Sequence, residues 1–422
     1  VPEKMDEYLE DPLFLSLSLA NRQYAIRMAH DNRLSVQEIR IFLTMLRDWE
    51  QWEMLPLSER LDSAETLPKK RWFARVRSLY ESDRNDPIEY TNARNKSPLM
   101  TGRPLQILDG QRTLLGRCPV ASDKTRCCNL QTLDSVMGCG FGCHYCSIQS
   151  FYNKKSIMIH KQLGDKLDNL DLDPEKYHHI GTGQGSDSLL WGNQYGLLDQ
   201  LAAFCRKNPR VILEMKSKSD NITWFLENPV PRNMILTWSL NPEPVITHEE
   251  PGTALLKNRL SAARKMANKG VLIGFHFHPI IRYKGWKEDY QKVAESVRHT
   301  FSPEELVMIS LGTLTYPKKA LQSIRLSPVK TKVLKMPFTD LQGKFSYPTY
   351  IKEELFKTVY APLSDWNGRV FFYLCMEEPA LWEPVLGRVY QTNEAFESDM
   401  LGFYAGKIDG QSLSSGALSI SK

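Results

Sequence analysis

Between residues 127 and 316, short β-rich runs alternate with amphipathic helical stretches, and this alternation restricts the fold more than any other feature of the chain. Candidate strands cover residues 129–133, 178–180, 210–215, 234–239, 271–277 and 307–311; residues 196–207 and 255–268 are the clearest helical stretches between them. Parallel strands need connections long enough for a helix, so six such repeats predict an α/β chain on a parallel sheet, closed as a barrel or open and doubly wound. In either case the loops at the C-terminal ends of the strands carry functional side chains on a rigid frame.

The flanking regions differ in texture. Residues 1–95 read as mainly helical: Ser35-Val36-Gln37-Glu38 has the form of a capping box, and Ile39, Phe42, Leu43, Leu46 and Trp49 follow at helical spacing. Residues 69–77 interleave cations with Trp72 and Phe73, which suits phosphate contact and base stacking, or a helix whose aromatics turn inward. The α/β region is assigned to 96–316, and 317–410 to a C-terminal extension that continues the fold or forms a small appendage. The Ser/Gly-rich residues 411–422 read as a mobile tail. With 42% hydrophobic and 24% charged residues among 422, the composition excludes collagen-like and disordered classes. No run approaches the roughly 18 uncharged apolar residues of a membrane span, and residues 1–10 lack the basic-then-apolar pattern of a secretion signal. A soluble cytoplasmic protein with no membrane partner is expected. The net charge of +5 permits a polyanionic partner without demanding one.

Three of the eight cysteines crowd into Cys139-Gly140-Phe141-Gly142-Cys143-His144-Tyr145-Cys146, a C-x3-C-x2-C loop just after a predicted strand. Cys118, Cys127 and Cys128 lie upstream, Cys205 and Cys375 stand apart, and the pattern is not the spread framework of a small secreted domain. Structural zinc takes four closed ligands, and His144, between two of the cysteines, can hardly turn its ring onto the same metal. Three thiolates on a [4Fe–4S] cluster leave one iron open to an exogenous chelator. Gly140 and Gly142 let the backbone wrap closely around such a cluster. Zinc, or a cluster that only transfers electrons, are the competing readings.

The loop resembles that of the radical SAM superfamily, in which the open iron chelates S-adenosyl-L-methionine and an electron cleaves it to a 5′-deoxyadenosyl radical. Downstream, His248-Glu249-Glu250-Pro251-Gly252-Thr253, residues 259–265 and 274–279, and Ile281-Arg282-Tyr283-Lys284-Gly285-Trp286 resemble the spore photoproduct lyase family, DNA repair enzymes that split a methylene-bridged thymine dimer. This resemblance spans residues 127–350. It implies a partial (β/α)6 TIM-like radical SAM barrel, with a [4Fe–4S] cluster on Cys139, Cys143 and Cys146. It implies S-adenosyl-L-methionine contacted by Tyr145, Ser186, Asp187, Lys216, Ser239 and Asn241. Lyase activity on DNA or other nucleic acid and a flavodoxin- or ferredoxin-type electron donor follow from the same resemblance. At the catalytic positions, the family's hydrogen-donating cysteine aligns with Gln184; of its two relay tyrosines, one matches Tyr145 and the other falls on Ser147. The quenching half of the chemistry is therefore altered: another group such as Cys205 or one of Cys118, Cys127 and Cys128 approaches the site, or the radical is quenched differently, or the substrate is a different one.

His276 and His278 alternate with Phe275 and Phe277 and so share one strand face, as ligands or as hydrogen-bonded barrel residues. Lys330, Lys332, Lys335 and Lys344 lie near where related lyases place a DNA-contacting hairpin, and read either as a phosphate-lining edge or as the lysines that protect an edge strand. A base within a duplex must leave the stack to reach a barrel mouth; Trp72, Phe73, Tyr283 and Trp286 are candidates for the surface that accepts it. The leading expectation is a radical SAM lyase acting on damaged DNA or related nucleic acid. The alternatives are radical chemistry on a small molecule or peptide, and an iron–sulfur nucleic-acid-binding protein without catalysis.

Overall fold

The computed structural model describes residues 8–61, 67–90, 105–107, 114–118, 125–147, 156–341 and 343–410; the expected tail, 411–422, lies outside them. The N-terminal region is built from α1 (Leu19–Asp31), α2 (Val36–Gln51) and α3 (Lys69–Asn85), with shorter turns between. The capping box forms as read: Ser35 Oγ accepts from Glu38 N at 3.3 Å, and Ser35 N donates to Glu38 Oε2 at 2.7 Å. Ile39, Phe42, Leu43, Leu46 and Trp49 make the buried face of α2. Trp72 and Phe73 of α3 turn onto that face, the Trp72 ring 5.4 Å from Phe42. At 9% and 8% exposed they are core residues and present no wedge to a duplex. Burying two large rings stabilises by several kcal/mol, at roughly 2–3 kcal/mol each, more than an exposed stacking surface returns before a ligand binds.

Among the described residues the centre of the molecule is an eight-stranded sheet: β1 (Leu115–Arg117), β2 (Gln131–Leu133), β3 (His178–Gly181), β4 (Val211–Ser217), β5 (Met234–Ser239), β6 (Ile273–Ile280), β7 (Leu306–Thr313) and β8 (Phe371–Leu374). Spatial order follows chain order. The β1–β2 pairing is antiparallel and the other six are parallel. Crossover helices α4 (Leu197–Lys207), α5 (Leu256–Asn268), α6 (Trp286–Thr300) and α7 (Thr349–Tyr360) return the chain between parallel strands, and α8 (Asn393–Ile408) follows β8. The result is a partial α/β barrel, with one strand added at each edge of the six expected.

Period-two alternation sorts the strand side chains. Glu214, Lys216, Thr237, Ser239, His276, His278 and Ser310 share the inner face, where they touch one another across neighbouring strands. Leu213, Met215, Leu236, Trp238, Phe275, Phe277, Ile309 and Leu311 alternate with them in the apolar core. The sheet also crosses the boundary expected at residue 316. β8 pairs with β7 from Met308↔Phe371 to Leu311↔Leu374, so part of the C-terminal extension completes the barrel. Its four residues are too few to read as a strand until β7 supplies the ladder.

Residues 330–335 form turns instead of a lysine-lined edge. Thr331 N donates to Gln51 Oε1 at 3.1 Å, and Lys332 Nζ to Glu89 O at 3.0 Å, so the segment is pinned between the N-terminal helices and the barrel mouth. These tertiary bonds satisfy the Thr331 amide and commit the Lys332 ammonium to a main-chain carbonyl. Arg325 makes the neighbouring clamp, with two bonds to Asp48 at 2.6 and 2.8 Å. Tyr283 and Trp286, at 2% and 6% exposed, are also core residues, Tyr283 donating to Asp289 at 2.7 Å.

Candidate active site

A cavity of about 230 Å³ lies at the C-terminal ends of the parallel strands. Cys139, Cys143 and Cys146 line one wall; Gln184, Ser186, Asp187, Lys216, Lys218, Ser239 and His278 line the others. The cysteine loop is held by main-chain bonds to two distant turns. Gly138 N donates to Gly185 O at 2.9 Å, His144 N to Glu249 O at 2.9 Å, and Gly142 N to Pro251 O at 3.2 Å. The carboxylates of Glu249 and Glu250 then clamp consecutive loop side chains. His144 Nδ1 lies 3.0 Å from Glu249 Oε2, and the Tyr145 hydroxyl donates to Glu250 Oε1. Glu249 also accepts from Tyr90 and Thr331, and Glu250 from Asn241 and Arg259, so both carboxylates are anchored from behind.

The expected cofactor-contacting residues divide into three groups. Ser186, Lys216 and Ser239 line the cavity, and the buried Ser239 Oγ has no hydrogen-bond partner among the described residues. Asp187 also lines it, but its carboxylate is occupied internally, accepting from Leu189 N, Leu190 N, Ser217 Oγ and Lys218 N at 2.6–3.1 Å. It shapes the Gly-rich turn more than it offers a free ligand. Asn241 does not line the cavity. It is fully buried, donating to Glu250 at 2.8 Å and accepting from Tyr290 at 2.7 Å, because the chain after β5 turns inward toward that carboxylate. Tyr145 and Gln184 both line the cavity, as does Ser147.

Electrostatics favour an anionic occupant. Burial, then repulsion from Lys218, holds the Lys216 ammonium below its ordinary pKa, and Lys218 Nζ sits 5.7 Å from the Tyr145 ring centre. A bound carboxylate would be stabilised by both cations. Burial pushes the Cys139 thiol up to about 12 and raises Cys143 despite the pull of Lys218. Iron bound at the loop would reverse that balance and hold the sulfurs as thiolates. A [4Fe–4S] cluster would take one thiolate per iron from the three cysteines. Gly183 is the closest approach in the site, since a Cβ there would meet Lys216 Cβ at 2.7 Å. These observations fit a three-thiolate cluster and an amino-acid-bearing cofactor.

Sequence reasoning missed Lys218, the Glu250–Arg259 support, and Cys375 with Met376, which reach the cavity from the end of β8. Glu250 was visible as part of a motif; nothing local marked Cys375. His276 and His278 join the inner-face network: His276 Nε2 lies 2.7 Å from Glu214 Oε1 and Nδ1 2.7 Å from Ser310 Oγ, which lies 2.9 Å from His278 Nε2.

A parallel partial barrel whose strand ends face a C-x3-C-x2-C loop across one cavity defines a protein of the radical SAM class. Residues 122–356, more than half of the chain, match the family model described as spore photoproduct lyase. The chain belongs to the spore photoproduct lyase family. Curated spore photoproduct lyases are similar: that of a Geobacillus species is 26% identical over 42% of this chain and 52% of its own length. That of Clostridium acetobutylicum is 25% identical over 53% and 68%, and that of Bacillus subtilis 26% over 38% and 48%. The chain thus spans about half the length of the first of these relatives. A solved spore photoproduct lyase complexed with dinucleoside spore photoproduct shares the fold with a TM-score of 0.55, at 20% identity over 71% of this chain and 94% of that one.

Proposed function

We propose that this chain is a radical SAM lyase that splits a thymine photoproduct in DNA, or performs related chemistry on nucleic acid. The observation that carries the reading is the three-thiol loop facing Ser186, Lys216 and Ser239 across one cavity, in a chain of this family. Cys139, Cys143 and Cys146 would hold a [4Fe–4S] cluster, and Ser186, Lys216 and Ser239 the S-adenosyl-L-methionine beside it. When bound, these groups supply a 5′-deoxyadenosyl radical able to remove a hydrogen atom from the substrate.

The chain's own residues orient and protect that chemistry. Lys216 and Lys218 attract the cofactor carboxylate. The Ser239 hydroxyl gains the partner it lacks, which offsets about 1–3 kcal/mol of unmet hydrogen bonding. Tyr145, fixed by Glu250, forms a rigid part of the wall, which Leu314 and Tyr316 also line. Structural neighbours solved with dinucleoside spore photoproduct support a two-base substrate, and a base drawn from a duplex must be flipped to enter. The electron comes from a flavodoxin- or ferredoxin-type donor, and an oxygen-sensitive cluster suits the reducing cytoplasm. No helix of the described residues is long and apolar enough to cross a membrane.

The test is anaerobic reconstitution with iron and sulfide, reduction, and incubation with S-adenosyl-L-methionine and dinucleoside spore photoproduct. Both 5′-deoxyadenosine and restored thymine are expected. Cofactor cleavage without thymine moves the substrate to a small molecule or peptide; an intact cluster with no cleavage overturns the enzyme reading.

A further inference from the structure

Four cysteines line the cavity: the three of the loop, and Cys375 at the end of β8. The other four are placed elsewhere. Cys205 is buried in α4, 1% exposed, and packs in the apolar core. Cys118, Cys127 and Cys128 line a smaller cavity behind Gln184 and Lys216, which Cys375 also reaches. Cys375 is therefore the one thiol outside the iron-binding loop that faces the main cavity among the described residues.

Its position is determined from several directions. Cys375 N donates to Leu311 O at 2.8 Å, extending the β7–β8 ladder. Met376 follows with φ 60°, the left-handed region that a side chain other than glycine enters at a cost. The turn is fastened by Glu377, 1% exposed, whose carboxylate accepts from Lys352 at 2.6 Å and Thr313 at 3.3 Å while its carbonyl accepts from Arg126 N at 2.9 Å. A strained turn held this way keeps Cys375 at the cavity lining.

We infer that Cys375 is the catalytic thiol that gives a hydrogen atom to the substrate radical, an assignment that rests on the radical reaction proposed above. Gln184 offers only strong amide N–H bonds, whereas the S–H bond of a thiol is weak enough to give its hydrogen atom to a carbon radical. Burial holds the Cys375 thiol well above its ordinary pKa against the pull of Lys216, so the sulfur keeps its hydrogen. In the transfer, the S–H bond breaks homolytically as a C–H bond forms on the substrate carbon, and no charge moves. The sulfur radical left behind is restored by one electron from the flavodoxin- or ferredoxin-type donor and one proton from solvent.

The experiment compares the reconstituted wild type with Cys375→Ala and Cys375→Ser in D2O, using dinucleoside spore photoproduct. The thiol hydrogen exchanges with solvent, so wild-type product carries deuterium. In both variants, thymine restored per 5′-deoxyadenosine formed falls by about 100-fold or more. Adding Gln184→Cys to Cys375→Ala restores repair, which a merely structural role for Cys375 would not allow. Undiminished repair with full deuterium in Cys375→Ala overturns the assignment. If the wild type cleaves the cofactor but restores no thymine, the substrate reading has failed and the thiol is tested separately. The adenosyl radical then takes hydrogen from the wall, so deuterium enters 5′-deoxyadenosine in wild type and is lost in Cys375→Ala; equal deuterium in both refutes the role of Cys375.

Discussion

Arg259 and Glu250 form an ion pair with both side chains 0% exposed, directly behind the cysteine loop. The Arg259 guanidinium also donates to Ser239 O and Ala254 O at 2.8 Å and to Thr253 Oγ1 at 2.7 Å, while Glu250 receives Tyr145 and Asn241. Burial alone would raise the Glu250 carboxyl; Arg259, then Lys218 and the Tyr145 and Arg259 hydrogen bonds, outweigh it and hold the group below its usual pKa. Arg259→Met keeps the length of the side chain but leaves a buried carboxylate without its cation, which costs about 3–5 kcal/mol. The Ser239 and Ala254 carbonyls lose a donor as well, adding about 1–3 kcal/mol each where water does not reach them. At roughly 2 °C per kcal/mol for a large domain, the ion-pair part alone lowers Tm by about 6–10 °C. The double variant Arg259→Met, Glu250→Gln removes the stranded charge while an amide oxygen still accepts from Tyr145 and Asn241. It should recover about half of the loss in apo-protein denaturation at neutral pH. Because the folded carboxyl is depressed, the pair's contribution is present above the unfolded carboxyl value and fades as pH falls through the folded one, so the wild type's advantage over the single variant shrinks in acid. A single variant that loses less than about 1 kcal/mol, or a double variant no more stable than the single, refutes the reasoning.

Three further outcomes are expected. Gly183→Ala places a methyl 2.7 Å from Lys216 Cβ and 2.9 Å from Lys216 O, so β4 must move; a stability loss of about 1–3 kcal/mol and at least about tenfold weaker S-adenosyl-L-methionine binding should appear by denaturation and calorimetry, and unchanged values count against the close approach. Arg325→Met strips the cation from Asp48, 1% exposed, at a cost of about 3 kcal/mol, and amide exchange should quicken in α2 and α3 before it does in β4–β7; uniform exchange would deny that this contact docks the helices. Burial, then Lys216, hold His276 down at about 4 against Glu214. The unfolded chain therefore binds more protons between about pH 6.5 and 4, and stability should fall across that window as pH drops, by up to about 3 kcal/mol from this residue; a His276→Gln variant whose pH dependence matches wild type contradicts it.

The residues that could be read in advance are those whose chemistry is local. The cysteine spacing lies within eight residues and carries its meaning without a fold. The six inner strands announced themselves because strands in a parallel sheet are buried on both faces and read as apolar runs. Trp72 and Phe73 show where such reading stops: a basic aromatic run has the same composition on a nucleic-acid-binding face and on a helix packing inward, and only the partner surface of α2 separates them. The same limit applied to Lys330, Lys332 and Lys335, whose alternation suggested a row until contacts to Gln51, Glu89 and Glu249 folded the segment into turns.

Sequence alone thus supplied the fold class and the three-cysteine loop, because periodicity and spacing are properties of neighbours in the chain, while Ser186, Lys216 and Ser239, which line the cavity, came from the family resemblance. Tertiary structure decided everything that depends on distant segments meeting. It withdrew Asn241 from the cavity to support Glu250, and it spent the Asp187 carboxylate on backbone amides. It also brought Cys375, more than 200 residues beyond the loop, to the same cavity as Cys139. That last contact has no local signature, since it exists only because β8 pairs with β7 and completes the barrel.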